Sequence, residues 1–140
     1  MLSTQSGWGY WSKKIVDDLY KIKQPFNVNK IAQSCAIESL KDQRFINKSV
    51  KHNLDWAKKI QKTLNSYNIK TNDIGPNFFL LDFKNCKLSA RFVEKKLEAS
   101  GIILREMNSY GIKNCLRLTI GNSSENKLLL NKLNNIFKNV

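Results

Sequence analysis

Arginine is scarce in a chain that has no shortage of positive charge. Of 24 basic residues, 20 are lysine and only four are arginine, against 11 acidic residues. Histidine is scarcer still, with His52 alone. The three cysteines, Cys35, Cys86 and Cys115, are widely spaced and form no C-x-x-C pair. One histidine and no paired cysteines do not make a zinc site. They read as reduced thiols in a cytoplasmic protein, because disulfides persist in oxidising compartments. There is no run of 18 apolar residues to span a membrane, and the opening MLSTQSGWGYWSKK has no apolar core of a signal peptide. Internal repeats and low-complexity linkers are missing too.

What is present suits one domain or a large piece of one. The 140 residues are 41% apolar, with 14 aromatics among them, which is enough for a real core and excludes a disordered chain. The net charge of +13 invites a nucleic-acid reading. The lysines are scattered and interleave with apolar helix positions, as on solvated faces, and no block of five like charges occurs. Abundant Lys, Asn and Ile together are also the pattern of an A+T-rich coding sequence. Scattered charge makes a poor phosphate track, so no nucleic-acid partner is expected.

Apolar periodicity predicts three helices first. The first covers residues 12 to 23, with Ser12 as N-cap and Ile15, Val16, Leu19, Tyr20 and Ile22 at helical spacing. Pro25 then breaks the chain. The second covers 28 to 40, with a narrow stripe of Ile31, Ala32, Cys35 and Ala36. The third covers 43 to 66, capped by Asp42, with Phe45, Ile46, Val50, Ala57, Ile60 and Leu64 facing inward. Trp56 reads as packing and His52 as a surface residue. NFFLLDF (77 to 83) is short, aromatic and branched, as strands are. A helix over 88 to 99 follows, with Leu88, Phe92, Val93 and Leu97 inward and Gly101 as its C-cap. GIILREM and CLRLTIG are the next strands, joined by the tight NSYGIKN turn. The last helix opens at Asn122, with Glu125 completing a capping box. The expected fold class is α+β: N-terminal helices followed by a β-α-β-β-α unit with a short, mainly antiparallel sheet.

Two of the four arginines, Arg105 and Arg117, flank that tight turn. In CLRLTIG, Leu116, Leu118 and Ile120 alternate with Cys115, Arg117 and Thr119, so Arg117 faces away from the core. Arginine presents a rigid planar fork that grips a carboxylate or phosphate through two parallel hydrogen bonds, which lysine cannot do. Antiparallel pairing would bring Arg105 and Arg117 onto one anionic group. Two alternatives stand beside this: each arginine pairs with an internal carboxylate, or both lie on a wet sheet face.

ILREMNSYGIKNCLRLTIGNSSEN (103 to 126) resembles the C-terminal signature of the histidinol-phosphate aminotransferases, pyridoxal-phosphate enzymes of fold type I. KIKQPFNVNKIAQ (21 to 33) is similar to that family's interdomain segment, PNFFLLDF to the first strand of its small domain, and GWGY to the segment after its cofactor lysine. The likeness runs from about Gly7 to Phe137. It implies a C-terminal small domain over residues 42 to 140, and over 1 to 41 a remnant of the large domain with the interdomain helix. It implies that Arg117, assisted by Arg105, binds the acidic end of the substrate: the phosphate of histidinol phosphate, or a carboxylate of glutamate.

The same resemblance says what to expect missing. The family's Schiff-base lysine would fall before Met1. Gln5 stands where the family has an arginine to the cofactor phosphate. Lys13 and Lys14, the nearest lysines, lie on the first turn of an amphipathic helix and are poor imine formers. No catalytic residue is therefore expected in this chain, and pyridoxal phosphate is not expected to bind to it alone. Two functional classes follow: the small domain of an aminotransferase that needs a large-domain partner or partner subunit (the family is homodimeric), or a remnant or repurposed binding module without catalysis. A basic nucleic-acid-binding domain is the minor alternative.

Overall fold

The computed structural model describes residues 9–25 and 27–138. Gln5, Gly7, Trp8 and Phe26, which figure in the expectations above, lie outside them. The chain divides into two compact units, Met1–Asn47 and Lys48–Val140.

The first unit carries α1 (Lys13–Ile22), α2 (Lys30–Lys41) and the opening turn of α3 (Gln43–Ser66). Ser12 precedes α1, but its side chain makes no capping bond; its carbonyl instead accepts from Val16 N–H at 3.1 Å. Asn29 caps α2 in place of the expected start at residue 28, its Oδ1 accepting from Ala32 N–H at 2.7 Å. Asp42 caps α3 as expected, accepting from Phe45 N–H at 2.9 Å. The apolar stripes of these helices are largely bare. No residue of α1 is buried, Ala32 alone is buried in α2, and Tyr20, Ile22, Ile31, Leu40 and Phe45 are exposed.

The second unit holds the core. The remainder of α3 turns Trp56, Ala57, Ile60 and Leu64 inward. Then come β1 (Lys70–Thr71), β2 (Phe78–Asp82), α4 (Ala90–Glu98), β3 (Arg105–Glu106), a 3₁₀ turn (Asn108–Tyr110), β4 (Cys115–Thr119) and α5 (Ser123–Lys138). The strands form one sheet in the order β1-β2-β4-β3, antiparallel throughout. Phe79 and Leu81 of β2 and Leu116 and Leu118 of β4 share its buried face with Val93, Leu97, Leu129 and Leu133 of the helices. Strand alternation leaves Phe78, Leu80, Arg117 and Thr119 on the opposite, open face.

Several expectations are corrected. β1 was not foreseen, and GIILREM contributes only Arg105–Glu106 as strand. The α3 face stops at Trp56: Val50 is exposed and Ile46 half-buried. Phe92 is 40% exposed rather than inward. α4 starts two residues later than expected, because Ser89 caps it by accepting from Phe92 N–H.

Helices α3 and α4 end alike. After α4, Gly101 takes a φ of +78°, its N–H donates to the Glu98 carbonyl, and Ile102 N–H donates back to Leu97. After α3, Asn68 takes a φ of +58°, with matching bonds from Asn68 to Asn65 and from Ile69 to Leu64. In each case a left-handed residue consumes the last free carbonyls and turns the chain back to the sheet. A Cβ at Gly101 would meet nothing within 4 Å, so a substitution there costs only backbone strain. Gly101→Ala is expected to lower unfolding free energy by about 1 kcal/mol in urea denaturation. The bare apolar stripes of α1 and α2 make the purified chain expected to self-associate and to bind a hydrophobic dye. A monodisperse, dye-silent monomer in light scattering would contradict this.

Candidate functional site

The β3–β4 pairing decides the site. Arg105 and Arg117 are direct register partners, so two guanidinium side chains leave the same face of the sheet side by side. Partners in an antiparallel pair stand only about 5 Å apart at Cβ, and like charges so placed repel. Neither arginine is compensated. Among the described residues the salt bridges are Lys21–Asp18 and Lys41–Glu38, both far along the chain. Three carboxylates are close in register or position, and each is turned elsewhere. Asp82, opposite Cys115, accepts from Lys84 N–H at 2.8 Å. Glu106 follows Arg105 in β3 and so projects from the other face. Glu125 accepts from Asn122 N–H at 2.8 Å in the capping box of α5. Among the described residues neither arginine makes a salt bridge, although Glu125 lines the same groove.

Each guanidinium rests instead on an aromatic ring. Arg117 Cζ lies 5.6 Å from the centre of Phe78, the residue diagonal to it on β2. Arg105 Cζ lies 5.5 Å from the centre of Tyr110, and its Nη2 donates to the Tyr110 hydroxyl at 3.1 Å. Cations favour such ring faces at up to about 6 Å. Arg117 is half-buried, and its Nε is fully buried with no hydrogen-bond partner among the described residues. A buried donor left unpaired is costly.

The pair opens onto a groove of about 350 Å³, lined also by Ile103, Thr119, Glu125 and Leu128. Its floor is held from behind. The buried Asn126 side chain accepts from Gly121 N–H and donates to the Gly121 carbonyl. That carbonyl also lies 3.0 Å from His52 Nε2, and Trp56 Nε1 donates to Ser123 Oγ at 3.2 Å. His52 is thus a half-buried structural residue rather than a surface one. Four residues apart on α3, His52 and Trp56 tie down the turn that ends β4. Phe78 and Tyr110 were missed as site residues. Phe78 had a signal, an aromatic at the outward position of its strand; Tyr110 had none beyond its place in the turn.

On the other side of β3 a second cavity, about 540 Å³, is lined by Arg91, Glu94, Glu98, Glu106 and Cys115. Burial pushes the Cys115 thiol up, with the Asp82 charge adding to it, so it is a poor nucleophile. Glu94 is raised above the ordinary carboxylate value, first by burial, then by the Glu106 charge and hydrogen bond and by Glu98, against a lowering by Arg91.

A family model described as aminotransferase class I and II matches residues 3–133. The chain belongs to that family. It is 46% identical over 138 residues, 98% of its length, to the histidinol-phosphate aminotransferase of Pelagibacter ubique strain HTCC1062. It covers 38% of that relative, so it spans little more than a third of the curated proteins it matches. The histidinol-phosphate aminotransferase of Clostridium acetobutylicum superposes on 91% of this chain with a TM-score of 0.79 at 23% identity, over 39% of its own length. The enzyme of the same description from Sinorhizobium meliloti, solved in complex with pyridoxal-5'-phosphate, superposes on 90% with a TM-score of 0.74 at 20% identity, over 34% of its length. The α+β architecture is that of the corresponding part of these aminotransferases.

Pyridoxal phosphate is held in its enzymes by a lysine imine. The arginine groove does not fit that requirement. No lysine lines it, and every lysine of the chain is exposed except the half-buried Lys132 on α5. The groove presents Arg105 and Arg117 and offers no amine to an aldehyde.

Because the folded-state pKa of Glu94 is raised, the fold prefers its protonated form. The stability this contributes is full below the ordinary carboxylate range and is lost as pH rises through the raised value. Glu94→Gln, which mimics the protonated form, is expected to raise Tm at pH 7 and leave it unchanged at pH 3.5, in paired thermal melts.

Proposed function

We propose that this chain is the substrate-binding part of a pyridoxal-phosphate-dependent aminotransferase, cytoplasmic and acting between histidinol phosphate and 2-oxoglutarate or glutamate. The observation that carries this reading is the uncompensated pair Arg105–Arg117 on the open sheet face, with a buried Arg117 Nε lacking a partner. The name of the 46% identical relative supports the substrate.

In this reading Arg117 and Arg105 grip the acidic end of either substrate. A ligand held at one end by a bidentate fork has lost most of its freedom to tumble, and reaction at the other end is faster for it. The cofactor and its lysine come from a large domain that is separate from the residues of this groove. Residues 42 to 140 form the small domain, and residues 1 to 41 belong with the large domain and the interdomain helix. The bare apolar faces of α1 and α2 are what such a partner would cover.

The decisive experiment mixes this chain with the large-domain portion of a histidinol-phosphate aminotransferase. Transamination of histidinol phosphate is expected only in the mixture. Arg117→Ala in that mixture is expected to lower kcat/KM by about 10²–10³-fold, the value of a bidentate charged contact, without changing cofactor absorbance. Borohydride reduction of this chain alone with pyridoxal phosphate is expected to label many surface lysines weakly. Stoichiometric labelling of one lysine would overturn the division of labour. A mixture that binds phosphate but never turns over would leave the chain a binding module.

A further inference from the structure

Arg105 has little reason, on its own, to stay where it is. It is exposed, it stands on a two-residue strand at the sheet edge, and its register partner carries the same charge. A free side chain in that position would spread over many rotamers and swing away from Arg117 into water. Tyr110 narrows that freedom. Its ring lies against the guanidinium and its hydroxyl accepts from Nη2, so two contacts from one side chain fix both the plane and the direction of the fork.

Tyr110 is itself well placed to do so. It ends the 3₁₀ turn Asn108–Tyr110, and its N–H donates to the Met107 carbonyl at 3.0 Å. Gly111 then takes a φ of +74°, with bonds from Gly111 to Asn108 and from Ile112 to Met107 closing the turn. This is the same left-handed closure that ends α3 and α4. It pins the ring's backbone five residues from the arginine it serves. Tyr110 does not line the groove.

We propose that Tyr110 is a positioning residue for the anion site: it fixes the fork of Arg105, the register partner of Arg117, and so sets the anion affinity of the pair without touching the anion. The proposal rests on reading the arginine pair as an anion receptor. The rotamer entropy of a long side chain is spent in the free protein rather than on binding.

The test uses the full chain and inorganic phosphate as probe, with affinity read by NMR from the Nε–H signals of Arg105 and Arg117. Tyr110→Leu is expected to weaken phosphate binding about fivefold and Tyr110→Phe, which keeps the ring, about twofold. In an Arg105→Ala background neither substitution should weaken it further. Wild-type affinity in both Tyr110 variants overturns the proposal. So does an equal loss with and without Arg105, which would make Tyr110 merely structural. If Tyr110→Leu fails to fold, Tyr110→Phe with and without Arg105 carries the test. Phosphate binding undiminished in each of the single variants Arg105→Ala and Arg117→Ala, read from the arginine that remains, defeats the underlying anion-site reading instead, and is distinguishable from failure at Tyr110 alone.

Discussion

Two positive charges set side by side on the open face of a small sheet are the constraint around which this structure is organised. The placement follows from the antiparallel register of β3 and β4, which aligns Arg105 with Arg117. It is unfavourable in isolation. The surroundings make it tolerable: a ring beneath each guanidinium, short or apolar neighbours in Cys115, Thr119 and Leu80, and solvent above. They do not make it neutral. Three carboxylates within reach of a different arrangement are held in a turn, on the opposite face and in a helix cap. Neither arginine makes a salt bridge among the described residues, even though Glu125 lines their groove.

The rest of the second unit serves to keep β4 still. Its buried face is locked by Leu116 and Leu118 into a core shared with α4 and α5. Its far end is gripped by Asn126, His52 and Trp56 through the turn at Gly121 to Ser123. Its near end is held by Asn114, whose Oδ1 accepts from Ala90 N–H at the start of α4 and whose carbonyl accepts from Phe83 N–H. A side chain on a strand fixed at both ends is held more precisely than one on a loop. The first unit presents the opposite picture. Its helices are formed, and α2 and α3 are capped, yet their apolar stripes are exposed, which is how a segment looks when its partner surface lies outside it.

Much of this was legible in the residues. Period-2 alternation in CLRLT identified the core face and put Arg117 on the other one, because side-chain direction in a strand is a local property. Asp42 and the Asn122–Glu125 pair marked helix starts correctly, since a cap is made within four residues. The failures were of a different kind. β1 has two residues and no pattern; it exists because the left-handed turn at Asn68 returns the chain alongside β2. Phe92 and Val50 fit a helical stripe but lie beyond the reach of the core, since periodicity gives direction around a helix and not the depth of what it meets. His52 showed no partner nearby because its partner, Gly121, is 69 residues away.

By itself the sequence determined the α+β class, the caps at Asp42 and Asn122, the outward direction of Arg117 and, through its motifs, the aminotransferase family. These depend on neighbours along the chain, and short-range sterics and hydrogen bonding decide them. Only the tertiary structure decided that Arg105 and Arg117 are register partners, that they make no salt bridge among the described residues, and that Tyr110 and Phe78 lie against them. A shift of one residue in the β3–β4 pairing would have sent the two arginines to opposite faces. Register is set by the packing of the whole core and by the closure of one tight turn, and no local pattern carries that information.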